Sequence, residues 1–181
     1  MGKVIATFNM TLDGVCDHTA GIPDQEIHDY YADLLEQGDA ILYGRITFEL
    51  MEYWRSFLET PSEDHSMNTF ASRINKISKI VFSNHPYTID WETARVAERS
   101  LEDEVMALKK SLNHIYVGCK SLILQLLNLK LLDELQLLIH PVIEGKGRRL
   151  FEGINQTTNL TLIKTKKFKG GAIILYYEVK K

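Results

Sequence analysis

Short apolar runs alternate with longer amphipathic stretches along most of the chain. The short runs predict strands, since about four to eight apolar or alternating residues are typical of a strand. They lie at 4–8, 40–43, 77–83, 94–97, 115–117 and 135–142. Stretches with apolar residues three or four positions apart predict helices, and these lie at 23–38, 47–54, 100–111 and 122–127. This alternation predicts an α/β fold with a mostly parallel sheet and helices on both faces.

The end of the chain has a different pattern. The β-rich segments 160–163 and 172–177 flank Lys169-Gly170-Gly171, and Gly-Gly between two such segments predicts a hairpin. The hairpin would add antiparallel strands at one edge of the sheet. A polar stretch at 59–68 contains Pro61 and predicts a surface excursion that is too short to separate two domains.

Composition narrows the class of protein. The 181 residues are 45% hydrophobic and 25% charged, with a formal net charge of −3. These values argue against a disordered chain and against a nucleic-acid binder, which is usually basic. No apolar stretch approaches the ~20 residues of a membrane helix. The N-terminus has no secretory leader, so we expect a cytoplasmic protein without membrane contact.

The cysteines and histidines do not suggest a metal site. Cys16 and Cys119 are the only cysteines, and in a cytoplasmic chain they are expected to be free thiols. The six histidines are scattered, with no metal-ligand spacing between them.

Small and polar residues follow several of the predicted strands. They lie at 9–14, 44–45, 83–84 and 118–121. Ligands of open α/β sheets bind at the carboxyl ends of strands, and helix N-termini suit phosphate. Arg45 stands at a helix start, where a positive charge is unfavourable without an anionic partner. A cofactor with several phosphates is therefore expected across these strand ends.

Charge is unevenly distributed. Residues 13–39 contain eight acidic residues and no lysine or arginine. Basic residues are concentrated in the last part of the chain, where Lys164 and Lys166 alternate with Ile163 and Thr165 as in a half-exposed strand. The late basic cluster is interpreted as the solvated face of the hairpin rather than a nucleic-acid surface.

Several motifs together resemble one superfamily. Gly44-Arg45-Ile46-Thr47-Phe48-Glu49 resembles the Gly-Arg-x-Thr-Trp/Phe-Glu motif of dihydrofolate reductases. Thr11-Leu12-Asp13-Gly14 and the segment 133–151 resemble the riboflavin-biosynthesis reductase (RibD C-terminal domain) branch. The resemblance implies a single dihydrofolate reductase-like domain over 1–181. It would be a three-layer sandwich whose central sheet has about eight strands, mostly parallel, with a C-terminal antiparallel hairpin.

The resemblance also implies NADPH as cofactor and hydride transfer to a small heterocycle that is pteridine- or pyrimidine-like. The residues implied in cofactor binding are Asn9, Gly44, Arg45, Thr47, Ser83, Asn84, Gly118, Cys119, Lys120, Ser121 and Leu122. Cys119 stands where the family has a second glycine, and a side chain there could obstruct the pyrophosphate. The alternative is therefore a family member that binds ligand with little or no turnover.

The substrate end offers several carboxylates. Asp13 is placed by its motif, while Asp24, Glu26 and Asp29 are candidates because dihydrofolate reductases use a carboxylate early in the first helix. One of these acids would donate the proton that accompanies hydride transfer. The expected partner is a small-molecule substrate, and family analogy adds a possible homodimer.

Overall fold

The computed structural model describes residues 1–21 and 23–180. Its strands are β1 (Lys3–Thr11), β2 (Ala40–Gly44), β3 (Ser78–Phe82), β4 (Ala94–Val96), β5 (His114–Val117), β6 (Glu134–His140), β7 (Leu160–Lys167) and β8 (Ile173–Val179). Its helices are α1 (Gln25–Gln37), α2 (Arg45–Met51), α3 (Ser56–Glu59), α4 (His65–Lys76), α5 (Leu101–Ser111) and α6 (Lys120–Asn128). A 3-10 turn at Glu52–Arg55 joins α2 to α3.

The eight described strands form one sheet in the order β4-β3-β2-β5-β1-β6-β8-β7. The first six strands of this order pair in parallel, and β8 and β7 add antiparallel pairs at one edge. The predicted mostly parallel sheet with a C-terminal hairpin is confirmed. The hairpin closes where Phe168 donates its backbone N–H to Ala172 over 2.9 Å.

Helices cover both faces of the parallel part of the sheet. On one face Ile123 and Leu126 of α6 and Val105 of α5 pack against β1 and β5. On the other face helices α1, α2 and α4 pack against Ile41, Tyr43 and Val81. Strand β2 has four consecutive buried residues, the pattern of a parallel strand covered on both faces. The layers are therefore helix, sheet and helix, as expected.

The helix starts follow local capping rules. Asp24 caps α1 by accepting the Ile27 N–H at 3.0 Å, and Ser100 caps α5 by accepting the Asp103 N–H at 3.1 Å. Acidic residues in the first turn of α5 suit the positive end of its helix dipole. These caps explain why both helices begin where the sequence predicts.

Two segments differ from expectation. Helix α4 begins at His65, inside the predicted excursion 59–68, because Asp64 caps it and accepts the Ser66 N–H at 2.8 Å. Strand β7 is exposed along its whole length rather than half-exposed, since it is the outermost strand of the sheet and no described helix covers it.

A buried lysine holds the chain on either side of the β3–β4 connection. The Lys79 ammonium donates to the Ile77 carbonyl at 2.9 Å and to the Thr93 hydroxyl at 2.7 Å. It also lies 4.2 Å from the ring centroid of Trp91. The connection that carries Ser83 and Asn84 is thereby tied to the sheet at its base.

Candidate functional site at the carboxyl ends of the central strands

The topology puts the position at which open α/β sheets form a ligand crevice at the carboxyl end of β5. The helix after β5 packs on the opposite face of the sheet from α2, which follows β2, and α1, which follows β1. Such a reversal opens a crevice outside the strand ends, where open α/β sheets bind ligands. Strand β5 ends at Val117, opposite Ala6, whereas β1 continues to Thr11. The last part of β1 thus borders the crevice.

Two helix starts meet at this crevice. Gly44 and Cys119 are the N-cap residues of α2 and α6, and neither provides a side-chain oxygen to occupy the first-turn N–H groups. A Cβ at Gly44 would lie 3.4 Å from the Ser121 hydroxyl and 3.5 Å from the Cys119 sulfur. The structure therefore brings three of the predicted cofactor residues into contact.

The Cys119 side chain is turned inward. Its sulfur accepts the Gly44 N–H at 3.2 Å, and the side chain is only 2% exposed. Burial raises the pKa of this thiol, so it stays protonated at neutral pH. The cysteine side chain does not project into open space, but its sulfur accepts a hydrogen bond from the backbone N–H at the start of α2.

Packing against a neighbouring strand explains why residue 118 is a glycine. A Cβ there would lie 2.8 Å from the ring of Tyr43, which is itself buried on β2. A larger residue would have to displace this ring. The turn between β5 and α6 is thus kept narrow for a reason that does not depend on a ligand.

The other predicted cofactor residues lie around these two turns. Arg45 pairs with Glu49 at 2.7 Å on the exposed side of α2, so its charge already has a partner. Burial raises the pKa of the Cys119 thiol, and Thr47 in the first turn of α2 is among the groups that oppose this shift. Ser83 exchanges hydrogen bonds with the backbone of His85 at 2.8 and 3.2 Å. Further residues at this edge are the exposed Asn84, the Lys120 paired with Glu152 at 3.8 Å, and the buried Leu122.

Asn9 lies on the part of β1 that passes the end of β5. Its side-chain oxygen accepts a hydrogen bond from the Tyr31 hydroxyl of α1 at 2.6 Å. Both residues are partly buried. Sequence reasoning did not identify Tyr31, because only the tertiary packing of α1 on β1 brings it to Asn9.

The Asp13 carboxylate forms hydrogen bonds with the loops around it. The carboxylate accepts the Thr11 hydroxyl at 2.6 Å and the backbone N–H groups of Gly145 and Glu144 at 2.8 and 3.2 Å. These hydrogen bonds lower the pKa of Asp13 to about 2. The group is ionised at neutral pH, so the geometry favours a structural role over the proton-donor role.

The two acids of α1 are also engaged. Asp24 caps the helix, and Glu26 accepts the backbone N–H of Lys169 in the hairpin turn at 2.8 Å. Nearby, His140 is 1% exposed at the end of β6, and its ring lies against Gly21. Burial lowers the pKa of His140 while Asp24 opposes that shift. The buried position of His140 was not foreseen from the sequence.

Within residues 1–21 and 23–180, no group of three or more histidine, cysteine or acidic side chains is arranged to hold a metal ion. Both cysteines are free thiols, as expected. No helix among the described residues is long and apolar enough to cross a membrane.

Comparison with known proteins places this fold in a family. The profile of the RibD C-terminal domain matches residues 2–174. The uncharacterized protein YyaP of Bacillus subtilis (strain 168) is 33% identical over 181 residues, which is 97% of this chain and 94% of that protein. The chain belongs to the RibD C-terminal domain family, within the dihydrofolate reductase-like superfamily.

Solved structures agree on the fold. A pyrimidine reductase-like protein from Corynebacterium diphtheriae aligns with a TM-score of 0.69 and 20% identity, over 99% of this chain and 92% of that one. The riboflavin biosynthesis reductase Rib7 of Saccharomyces cerevisiae aligns with a TM-score of 0.64 and 17% identity, over 99% and 90%. At these identities the similarity concerns the fold alone.

Proposed function

We propose that this protein is an NADPH-dependent reductase that transfers hydride to a small pteridine- or pyrimidine-like heterocycle. The observation that carries the proposal is the crevice at the end of β5, where the starts of α2 and α6 meet at Gly44 and Cys119. Membership of a reductase-like family supports it, and related folds carry the names pyrimidine reductase-like protein and riboflavin biosynthesis reductase.

The residues present fit such a cofactor. The first-turn N–H groups of α2 and α6 have no side-chain cap and would be donors for phosphate oxygens, and Arg45 would add a positive charge where a phosphate replaces Glu49 as its partner. The end of β1, with Asn9, would lie beside the reacting rings. NADPH would supply the hydride when bound, and the protein would hold the two rings in register.

The proton needs a separate source. Asp13 is held ionised, while Asp24 and Glu26 are bound by the backbone N–H groups of Ile27 and Lys169. A water molecule at the open end of β1 is therefore our favoured donor, with Asp24 or Glu26 in second place. A Glu26→Gln variant that keeps its turnover would agree with a water donor.

Calorimetric titration with NADPH tests the cofactor. We expect binding that weakens in Arg45→Gln, because one positive charge is lost beside the phosphates. Arg55→Gln is the matched control, since Arg55 lies further along the same segment and pairs with Asp90 at 2.8 Å. Absence of binding at millimolar NADPH, or equal loss in both variants, would contradict the proposal.

One observation favours the second candidate function, a ligand-binding protein with little or no turnover. The Cys119 sulfur occupies the Gly44 N–H that would otherwise be available to a phosphate. If this contact weakens or shifts the cofactor, the rings would not reach the geometry needed for hydride transfer. Substitution of Cys119 separates the two candidates.

A further inference from the structure

The two ends of the Asn9 side-chain amide differ in their hydrogen bonding. The oxygen end accepts the Tyr31 hydroxyl at 2.6 Å. Burial raises the pKa of the Tyr31 phenol, so this hydroxyl remains a hydrogen-bond donor at every working pH. At 2.6 Å the contact has the length of an O–H···O hydrogen bond, which assigns the oxygen end of the amide to Tyr31 and leaves the NH2 group on the other side.

The nitrogen end has no acceptor among the described residues. No hydrogen bond from the Asn9 Nδ2 atom is formed, and this atom is not one of the buried polar atoms without a partner. The NH2 group therefore keeps some contact with solvent on a half-buried side chain. The NH2 group is thus a hydrogen-bond donor of fixed orientation. It lies beside the crevice, because Asn9 is on the part of β1 that extends beyond the last residue of β5.

We propose that Tyr31 is a positioning residue that holds the Asn9 amide so that its NH2 group donates to a carbonyl oxygen of the bound ligand. The inference rests on the proposed function and deepens it. The recognised group would be the oxygen of a planar amide, either the carboxamide of the nicotinamide or a ring carbonyl of the heterocycle.

The charges nearby favour a neutral oxygen as the acceptor. Asp13 and Asp24 lie at the same end of the sheet, and Asp13 is ionised. An anionic oxygen would be repelled by the Asp13 carboxylate, whereas a carbonyl oxygen is neutral and still accepts the NH2 donor. A donor held in advance also loses little side-chain entropy on binding.

Three variants isolate the contact. Asn9→Asp keeps the acceptor for Tyr31 and the size of the side chain, but replaces the NH2 donor with a carboxylate oxygen. Tyr31→Phe keeps the ring and removes the hydroxyl that orients the amide. Tyr30→Phe is the matched control, since the Tyr30 hydroxyl interacts with Gln136 and Tyr176 at 3.3 and 3.0 Å and not with Asn9.

The probes are NADPH, 2′-phospho-ADP-ribose, which lacks the nicotinamide, and lumazine, a pteridine with two ring carbonyls. If the carboxamide is recognised, Asn9→Asp should weaken NADPH about ten-fold, and Tyr31→Phe about three-fold, without changing affinity for 2′-phospho-ADP-ribose. If the heterocycle is recognised, the same losses should appear for lumazine instead. A merely structural role would affect both cofactor probes equally.

Unchanged affinities for NADPH and lumazine in Asn9→Asp would overturn the inference. So would a loss in Asn9→Asp with none in Tyr31→Phe, or an equal loss in Tyr30→Phe. A native protein that binds neither cofactor probe contradicts the proposed function instead, and lumazine titration of the free protein then tests the Asn9 contact alone.

Discussion

Replacing Cys119 with glycine should strengthen cofactor binding while it destabilises the fold. The native sulfur accepts the Gly44 N–H at 3.2 Å from a fully enclosed position. Glycine removes this acceptor and frees the N–H for a phosphate oxygen. The same change removes a well-packed side chain from the core between β5 and α6.

The two effects differ in size and can be measured separately. Losing two buried apolar groups costs about 1.5–2 kcal/mol, and the added backbone freedom of glycine about 0.5–1 kcal/mol. At about 2–4 °C per kcal/mol for a chain of this length, the melting temperature should fall by about 4–12 °C. A hydrogen bond to a charged phosphate is worth about 1.5 kcal/mol or more, so NADPH should bind about ten-fold more tightly.

Calorimetry on three variants separates the contributions. Cys119→Ala frees the Gly44 N–H but keeps a Cβ, so its affinity should approach that of Cys119→Gly with a smaller loss of stability. Cys119→Ser supplies a hydroxyl that accepts the same N–H, so its affinity should stay near the native value. Denaturant unfolding of each variant without ligand gives the change in free energy of unfolding.

Equal NADPH affinity in the native protein and in Cys119→Ala and Cys119→Gly would refute this reasoning. It would mean that the Gly44 N–H has no part in binding the cofactor. A Cys119→Ser variant as tight as Cys119→Ala would also count against it, because occupation of the N–H would then not matter.

Two further predictions concern titration. Burial lowers the pKa of Lys79 to about 7, so between pH 7 and 10 the unfolded chain binds a proton that the folded protein lacks. Native stability should rise relative to Lys79→Met by at most ~1.4 kcal/mol per pH unit, and denaturant unfolding that shows a constant difference would contradict this. For Asp13 the pKa falls to about 2, so its stabilisation is present above pH 4 and is lost toward pH 2. The melting temperatures of native protein and Asp13→Asn should therefore converge over that interval, and a fixed gap would exclude the carboxylate as its cause.

Much of the fold could be predicted because local signals and tertiary burial agree. The four apolar residues of β2 lie between two covered faces, and Asp24 caps α1 where the pattern places its start. Helix α4 was not predicted because the first half of its sequence is mostly polar. Few apolar residues there are three or four positions apart, as they are in an amphipathic helix. What stabilises it is the burial of Ala71 and Ile74, of which Ile74 packs in the cluster with Ile41 of the sheet.

The candidate site was only partly predictable. The strand ends at Gly44 and Cys119 follow from the order of strands and turns. The contact between them depends on β2 and β5 being neighbours in the sheet, which no local pattern specifies. The hydrogen bond from Tyr31 to Asn9 likewise requires α1 to pack on β1.

The two candidate functions therefore differ in how one backbone donor is used. The donors at this edge are the first-turn N–H groups and the Asn9 amide nitrogen, while the Arg45 guanidinium pairs with Glu49 and the Asp13 carboxylate is bound by its own loop. Such a set suits phosphate oxygens at the helix starts and a neutral carbonyl oxygen at Asn9. If a phosphate oxygen can replace the Cys119 sulfur as acceptor of the Gly44 N–H, all of these donors can bind the cofactor and the arrangement supports hydride transfer. If the sulfur keeps that donor, the same residues still bind the ligand but hold it away from the geometry for reduction.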